Sequence, residues 1–157
     1  MKSRLGQGTT FSIYLPTVNK AALDEPTMVA NFSLGGKERI LVVEDDSLVR
    51  RVSVQSLRSF GYQVSAVDCV EAARHAIADE RFDLLLVDVR LPDGDGGSLI
   101  SDLRKTDSEL SALLVSGYVD DEVRARIRRD GLNVLFKPYS ATALARSIRT
   151  ALHASRH

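Results

Sequence analysis

The chain has 157 residues, 44% of them apolar, with 21 Lys and Arg against 21 Asp and Glu and one cysteine, Cys69. That length fits one ordinary domain with some tail, and the balanced charge gives no reason to expect nucleic acid or an acidic lipid surface as a partner. A lone cysteine excludes an internal disulfide and a cysteine-cluster zinc site; with no apolar run near the ~20 residues that span a bilayer and no secretory signal, a cytoplasmic location without direct membrane contact is expected.

Taken in chain order, the first patterned stretch is LGQGTTFSIYLP, Leu5 to Pro16. GQG is a weak phosphate-loop signal, because no helix follows to present its N-terminus. FSIYL alternates like a strand, and Pro16 ends it. From Thr17 to Glu38 no periodicity persists, and Pro26 and the Gly35–Gly36 pair mark a linker.

From Arg39 onward, short apolar runs alternate with helix-length segments. The runs are Ile40 to Val43, Gln63 to Val67, Phe82 to Val87, Ser111 to Val115 and Asn133 to Phe136. Such runs suit strands buried on both faces of a parallel sheet. After the first run, Val49, Val52, Leu57 and Phe60 are expected on one side of a helix, with Ser53 and Ser56 as small fillers and Gly61 as the stop. Gly96, Leu99, Ile100 and Leu103 follow a helical period, as do Leu144, Ile148 and Leu152. The fold expected is a doubly wound α/β domain with a five-stranded parallel sheet and helices on both faces. The four arginines between Val119 and Asp130 read as a solvated helix face.

In such a sheet, ligands sit beyond the carboxyl ends of the strands, which is where the informative polar residues fall. The first strand runs into Glu44, Asp45 and Asp46; the third ends at Asp88, the fourth at Ser116 and the fifth at Lys137. If the first and third strands are neighbours, Glu44, Asp45 and Asp88 converge, and their mutual repulsion calls for a hard divalent cation such as Mg²⁺. Lys137 adds a compact cation and Ser116 a hydroxyl donor, which together make a phosphoryl site with Asp88 as nucleophile. Asp46 has a simpler role available as the cap of the helix that follows. Neither His75, His153 and His157 nor Cys69 shows ligand or nucleophile spacing, and the Gly94–Gly97 run lacks the GxGxxG pattern and reads as a flexible loop.

VVEDD, DVRLPDGDG, SGY and the KP pair, in that order, closely resemble the receiver domain of two-component response regulators. The resemblance implies the flavodoxin-like strand order 2-1-3-4-5. It also implies that Asp88 is the phosphoacceptor, that Glu44, Asp45, Asp88 and the backbone carbonyl of Arg90 hold Mg²⁺, and that Ser116 and Lys137 contact the phosphoryl group. Pro138 follows a peptide bond that is often cis in this family. The family's aromatic switch position is occupied by Val134, for which Tyr118 is the suggested substitute. The long Arg90 side chain, two residues after Asp88, is expected to shield or steer the acyl phosphate and so slow its hydrolysis. The implied partners are a histidine kinase or a histidine phosphotransfer protein, with a homodimer common in the family.

LGQGTTFSIYLP in turn resembles the final strand of the ATPase domain of sensor histidine kinases. The domain organisation expected is therefore a remnant of that strand over 1–16, a linker over 17–38 and a receiver over 39–155. The order matches the C-terminal part of a hybrid sensor histidine kinase, and the chain alone is not expected to be an enzyme beyond accepting and losing its own phosphoryl group. Two other classes compete with this reading. A phosphorylation-independent pseudo-receiver is favoured only by Val134. A Mg²⁺-dependent aspartyl phosphatase of the haloacid dehalogenase type needs a second aspartate where Arg90 stands.

Overall fold

The computed structural model describes residues 2–4, 8–10, 34–117 and 131–154. Two units divide the chain, Met1–Asn31 and Phe32–His157. In the first, β1 (Lys2–Arg4) pairs antiparallel with β2 (Gly8–Thr10), Lys2 opposite Thr10. The expected FSIYL strand lies outside the described residues, as do Tyr118, the arginine-rich segment after it and His157.

In the second unit the elements are β3 (Arg39–Val43), α1 (Ser47–Ser59), β4 (Gln63–Val67), α2 (Val70–Asp79), β5 (Leu84–Asp88), β6 (Arg90–Leu91) and β7 (Gly94–Asp95), then α3 (Gly96–Arg104), β8 (Ser111–Ser116), β9 (Asn133–Phe136) and α4 (Ala141–Ala154). β4, β3, β5, β8 and β9 form one parallel five-stranded sheet in that spatial order. This is the expected 2-1-3-4-5 arrangement. β3 and β5 are direct neighbours, Val43 beside Val87, so the residues that follow both strands emerge side by side.

Alternation along the strands divides the core into two layers, because successive side chains point to opposite faces. Ile40, Val42, Leu84, Leu86, Leu113 and Val115 pack with Leu57 of α1 and with Leu144 and Ile148 of α4. Leu41, Val43, Leu85, Val87, Ala112 and Leu114 pack with Ala73 of α2 and with Leu99 and Ile100 of α3. Helices therefore cover both faces of the sheet. Burying both faces is what turns the central strands into continuous apolar runs.

Two expectations need correction. Val52 does not face the core: it is 52% exposed, while Ser53 and Leu57 are buried. Consecutive helical residues are about 100° apart, and the buried stripe is centred on Ser53 and Leu57, which leaves Val52 on its flank. The Gly94–Gly97 run is not a flexible loop. Gly94 and Asp95 pair with Arg90 and Leu91, and Gly96 and Gly97 are buried in the first turn of α3. A Cβ at Gly96 would lie 2.1 Å from the Asp88 carbonyl oxygen and 2.7 Å from Val87 Cγ1, so glycine there permits the helix to approach the end of β5.

Candidate functional site

Four strand ends deliver the site. Glu44 follows β3, and its amide donates to the Val67 carbonyl of β4 at 3.1 Å. Asp46 then caps α1, its Oδ1 accepting from the amides of Leu48 at 2.8 Å and Val49 at 3.0 Å. Those two bonds hold the Asp46 carboxyl below its ordinary pKa and fix the turn that carries Glu44 and Asp45. Asp88 closes β5, and its Oδ1 accepts from the Arg90 amide at 2.9 Å. Ser116 closes β8; its carbonyl accepts from the Lys137 amide at 2.8 Å. The Lys137–Pro138 peptide is cis.

These ends surround a cleft of about 450 Å³ lined by Glu44, Asp45, Asp88, Arg90, Ser116 and Lys137 among others. One carboxylate oxygen each from Glu44, Asp45 and Asp88 can be chosen so that all three lie within 4.8 Å of one another. Lys137 Nζ donates to Glu44 Oε2 at 2.6 Å and to Asp88 Oδ2 at 2.5 Å. Glu44 is buried, Asp88 half-buried and Asp45 exposed. Burial, reinforced by the charge of Asp88 and opposed by Lys137, pushes the Glu44 carboxyl above its ordinary pKa. For Lys137 burial acts to lower the pKa, but the hydrogen bonds and charges of Asp88 and Glu44 outweigh it, so the ammonium stays protonated with a raised value.

The donor set is three carboxylates without sulfur or imidazole, which suits a hard divalent cation and not a thiophilic one. The graded exposure also fits: Asp45 is exposed and Glu44 buried, so the carboxylate set is open to solvent on the Asp45 side. The remaining expected contributors are in place or located. Arg90 lines the cleft. Val134 does not reach the cleft; it is half-buried and packs against the core layer that contains Leu114.

A sequence profile of the response regulator receiver domain matches residues 40–149. The chain belongs to this family. Its receiver is 27% identical to the CheY-like receiver domain protein of Methanospirillum hungatei, whose crystal structure superposes with a TM-score of 0.71 over 77% of this chain and 98% of that one. Sensor kinase CckA of Brucella abortus is 35% identical over 163 residues, which takes in 96% of this chain but 17% of CckA. Sensor protein EvgS of Escherichia coli is 31% identical over 148 residues, 92% of this chain and 12% of EvgS. The receiver therefore has the fold and the two-component family membership expected from VVEDD, DVRLPDGDG, SGY and KP.

Sequence reasoning missed several contacts that hold the receiver's site. Arg50 of α1 donates from Nη1 to the carbonyl oxygens of Glu44 and Asp45. The Tyr139 hydroxyl, two residues past Lys137, lies 3.1 Å from Ser53 Oγ on α1. Asp93 accepts from the amides of Val70 at 2.8 Å and Glu71 at 2.9 Å, which ties the loop after Asp88 to the start of α2. Each joins positions whose proximity appears only once the chain has folded.

Proposed function

We propose that the receiver accepts a phosphoryl group on Asp88 from a phosphohistidine of a kinase or phosphotransfer protein. The observation that carries this reading is that Asp88 clusters with Glu44 and Asp45 at the strand ends while Lys137 bonds both Asp88 and Glu44. An Asp88 carboxylate oxygen attacks phosphorus in line, the P–N bond breaks, and the histidine imidazole leaves with the bonding pair, yielding an acyl phosphate. Lys137 offsets negative charge on the phosphoryl oxygens, and the Ser116 hydroxyl donates to one of them. Glu44, Asp45 and Asp88, with the Arg90 carbonyl, are the residues for Mg²⁺, which when bound neutralises charge on the transferring group. Tyr118 and the Arg90 side chain are modulators in this reading, and the family's aromatic position is filled by Val134.

The likeness to CckA and EvgS along nearly the whole chain supports placing this receiver at the C-terminal part of a hybrid sensor kinase, with residues 1–16 from the end of the ATPase domain and 17–38 as linker. Its output would then pass through protein contacts, a second receiver among them. No helix among the described residues is long and apolar enough to cross a membrane.

The test is incubation with Mg²⁺ and acetyl phosphate, followed by search for an acid-stable, hydroxylamine-labile adduct. Wild type should form it and Asp88→Asn should not. Absence of any adduct on wild type defeats the proposal and favours the pseudo-receiver; turnover of phosphate esters favours a phosphatase.

A further inference from the structure

The loop between β3 and α1 must aim two consecutive acidic side chains, Glu44 and Asp45, toward Asp88. Like charges in sequence tend to splay apart, so something has to fix the backbone between them. The strand supplies one restraint, the Glu44 amide on the Val67 carbonyl, and the Asp46 cap supplies another from the far side. The carbonyls of Glu44 and Asp45 themselves fall outside the sheet ladder and the helix.

We infer that Arg50 is a positioning residue for the divalent-cation site, acting through those two carbonyls. Its Nη1 donates to Glu44 O at 2.5 Å and to Asp45 O at 3.0 Å, while its own amide donates to Asp46 O at 2.9 Å. One guanidinium nitrogen thus gathers two successive carbonyls to the same point. Because peptide units are planar and rigid, fixing both carbonyl directions restricts how the two residues can turn, and hence where their carboxylates can be placed. Arg50 is half-buried, which strengthens charge-assisted bonds to carbonyls relative to a fully solvated arginine. The guanidinium needs no contact with the cation. It acts as an outer partner that orients the ligands, a type of contact whose loss typically weakens metal affinity by 10- to 100-fold.

This inference rests on the proposed cation site, and the experiment separates the two. The 157-residue chain, isotopically labelled, is titrated with Mg²⁺ while the amide resonances of Glu44, Asp45 and Asp88 are followed; the melting midpoint is recorded without the ion. Arg50→Gln should bind Mg²⁺ about 10-fold more weakly than wild type. Its rate of adduct formation from acetyl phosphate should recover toward wild type at saturating Mg²⁺, a split that general loosening of the fold would not give. Arg50→Lys keeps a cationic donor near the carbonyls and should recover most of the affinity. Arg51→Gln removes the same charge from the next, exposed position of α1 and should bind as wild type does.

Unchanged affinity in Arg50→Gln overturns the inference, and so does an equal loss in Arg51→Gln, which would assign the effect to net charge. Should Arg50→Gln melt well below wild type, Arg50→Lys decides: affinity as weak as that of Arg50→Gln at a wild-type melting midpoint also overturns it. Failure of wild type itself to bind Mg²⁺ defeats the cation site, whatever Arg50 does.

Discussion

Lys137 is the only cation recorded in a bridge to both Glu44 and Asp88 among the described residues, and its removal isolates what that bridge contributes. In Lys137→Met without divalent cations, Glu44 keeps its burial and the neighbouring Asp88 charge but loses its counter-ion. Such a buried, unbalanced carboxylate should cost about 1–3 kcal/mol at neutral pH, less than an entirely enclosed ion because Lys137 is 23% exposed and the cleft is open. The pH dependence has a definite sign. A raised carboxyl pKa means the folded state holds the proton more tightly, so the associated stability is full below the unfolded value of 4.5 and is lost as pH rises through the folded value. Loss of Lys137 extends that window upward. The deficit of Lys137→Met relative to wild type should therefore shrink as pH is lowered toward 5, and urea unfolding across that range, with a chelator present, measures it.

Between elements, the close approach of α3 to β5 is the most sensitive joint near the site. Gly96→Ala would push a methyl group against the Asp88 carbonyl and Val87, backbone and β-branched side chain, neither of which can swing away. A displacement of this kind costs about 1–3 kcal/mol. Because the obstructed atom belongs to Asp88, the substitution should also move the Asp88 and Arg90 amide resonances and slow adduct formation, whereas Gly94→Ala, whose added Cβ meets only Val70 side-chain atoms at 3.2 Å and beyond, should do less of both. Chemical-shift mapping with thermal unfolding reads the two effects together. The same joint shows how far sequence goes. Parallel strands buried on both faces appear as apolar runs, and Glu44, Asp88, Ser116 and Lys137 stand out because each is a polar residue at the end of one. Gly96 carries no such mark. Its requirement arises from a contact made by the folded helix, as do the exposure of Val52 and the bond between Ser53 and Tyr139, 86 residues apart. The β1–β2 pairing was illegible for another reason: KSR and GTT are only three residues each and carry no apolar alternation.

At the scale of the receiver unit, the incoming chain is bonded before the first strand of the sheet begins. The Leu34 carbonyl accepts from the buried Tyr62 hydroxyl at 3.0 Å, the Gly36 amide donates to the Phe60 carbonyl at 3.1 Å, and Glu38 Oε1 accepts from Arg149 of α4 at 2.6 Å. Gly35 is required there, since a Cβ would lie 2.4 Å from the Phe60 carbonyl oxygen. These contacts gather the segment before β3, the end of α1 and the last described helix at the amino ends of the strands, across the sheet from the acidic cleft. They also begin upstream of residue 40, where the family profile starts. Glu38 and Arg149 are 16% and 17% exposed, so their pairing is better shielded than a surface bridge. Glu38→Ala leaves the guanidinium facing Tyr62 without its carboxylate and should cost about 2–4 kcal/mol. The loss should appear as a lower urea midpoint with an unchanged slope, and as faster hydrogen exchange at the Gly36 amide. Since Lys137 and the acidic pair lie at the other end of the strands, Mg²⁺ affinity should stay at the wild-type value. A parallel fall in Mg²⁺ affinity would instead mean that the two ends of the sheet are coupled, and that the segment entering the receiver influences the acidic site directly.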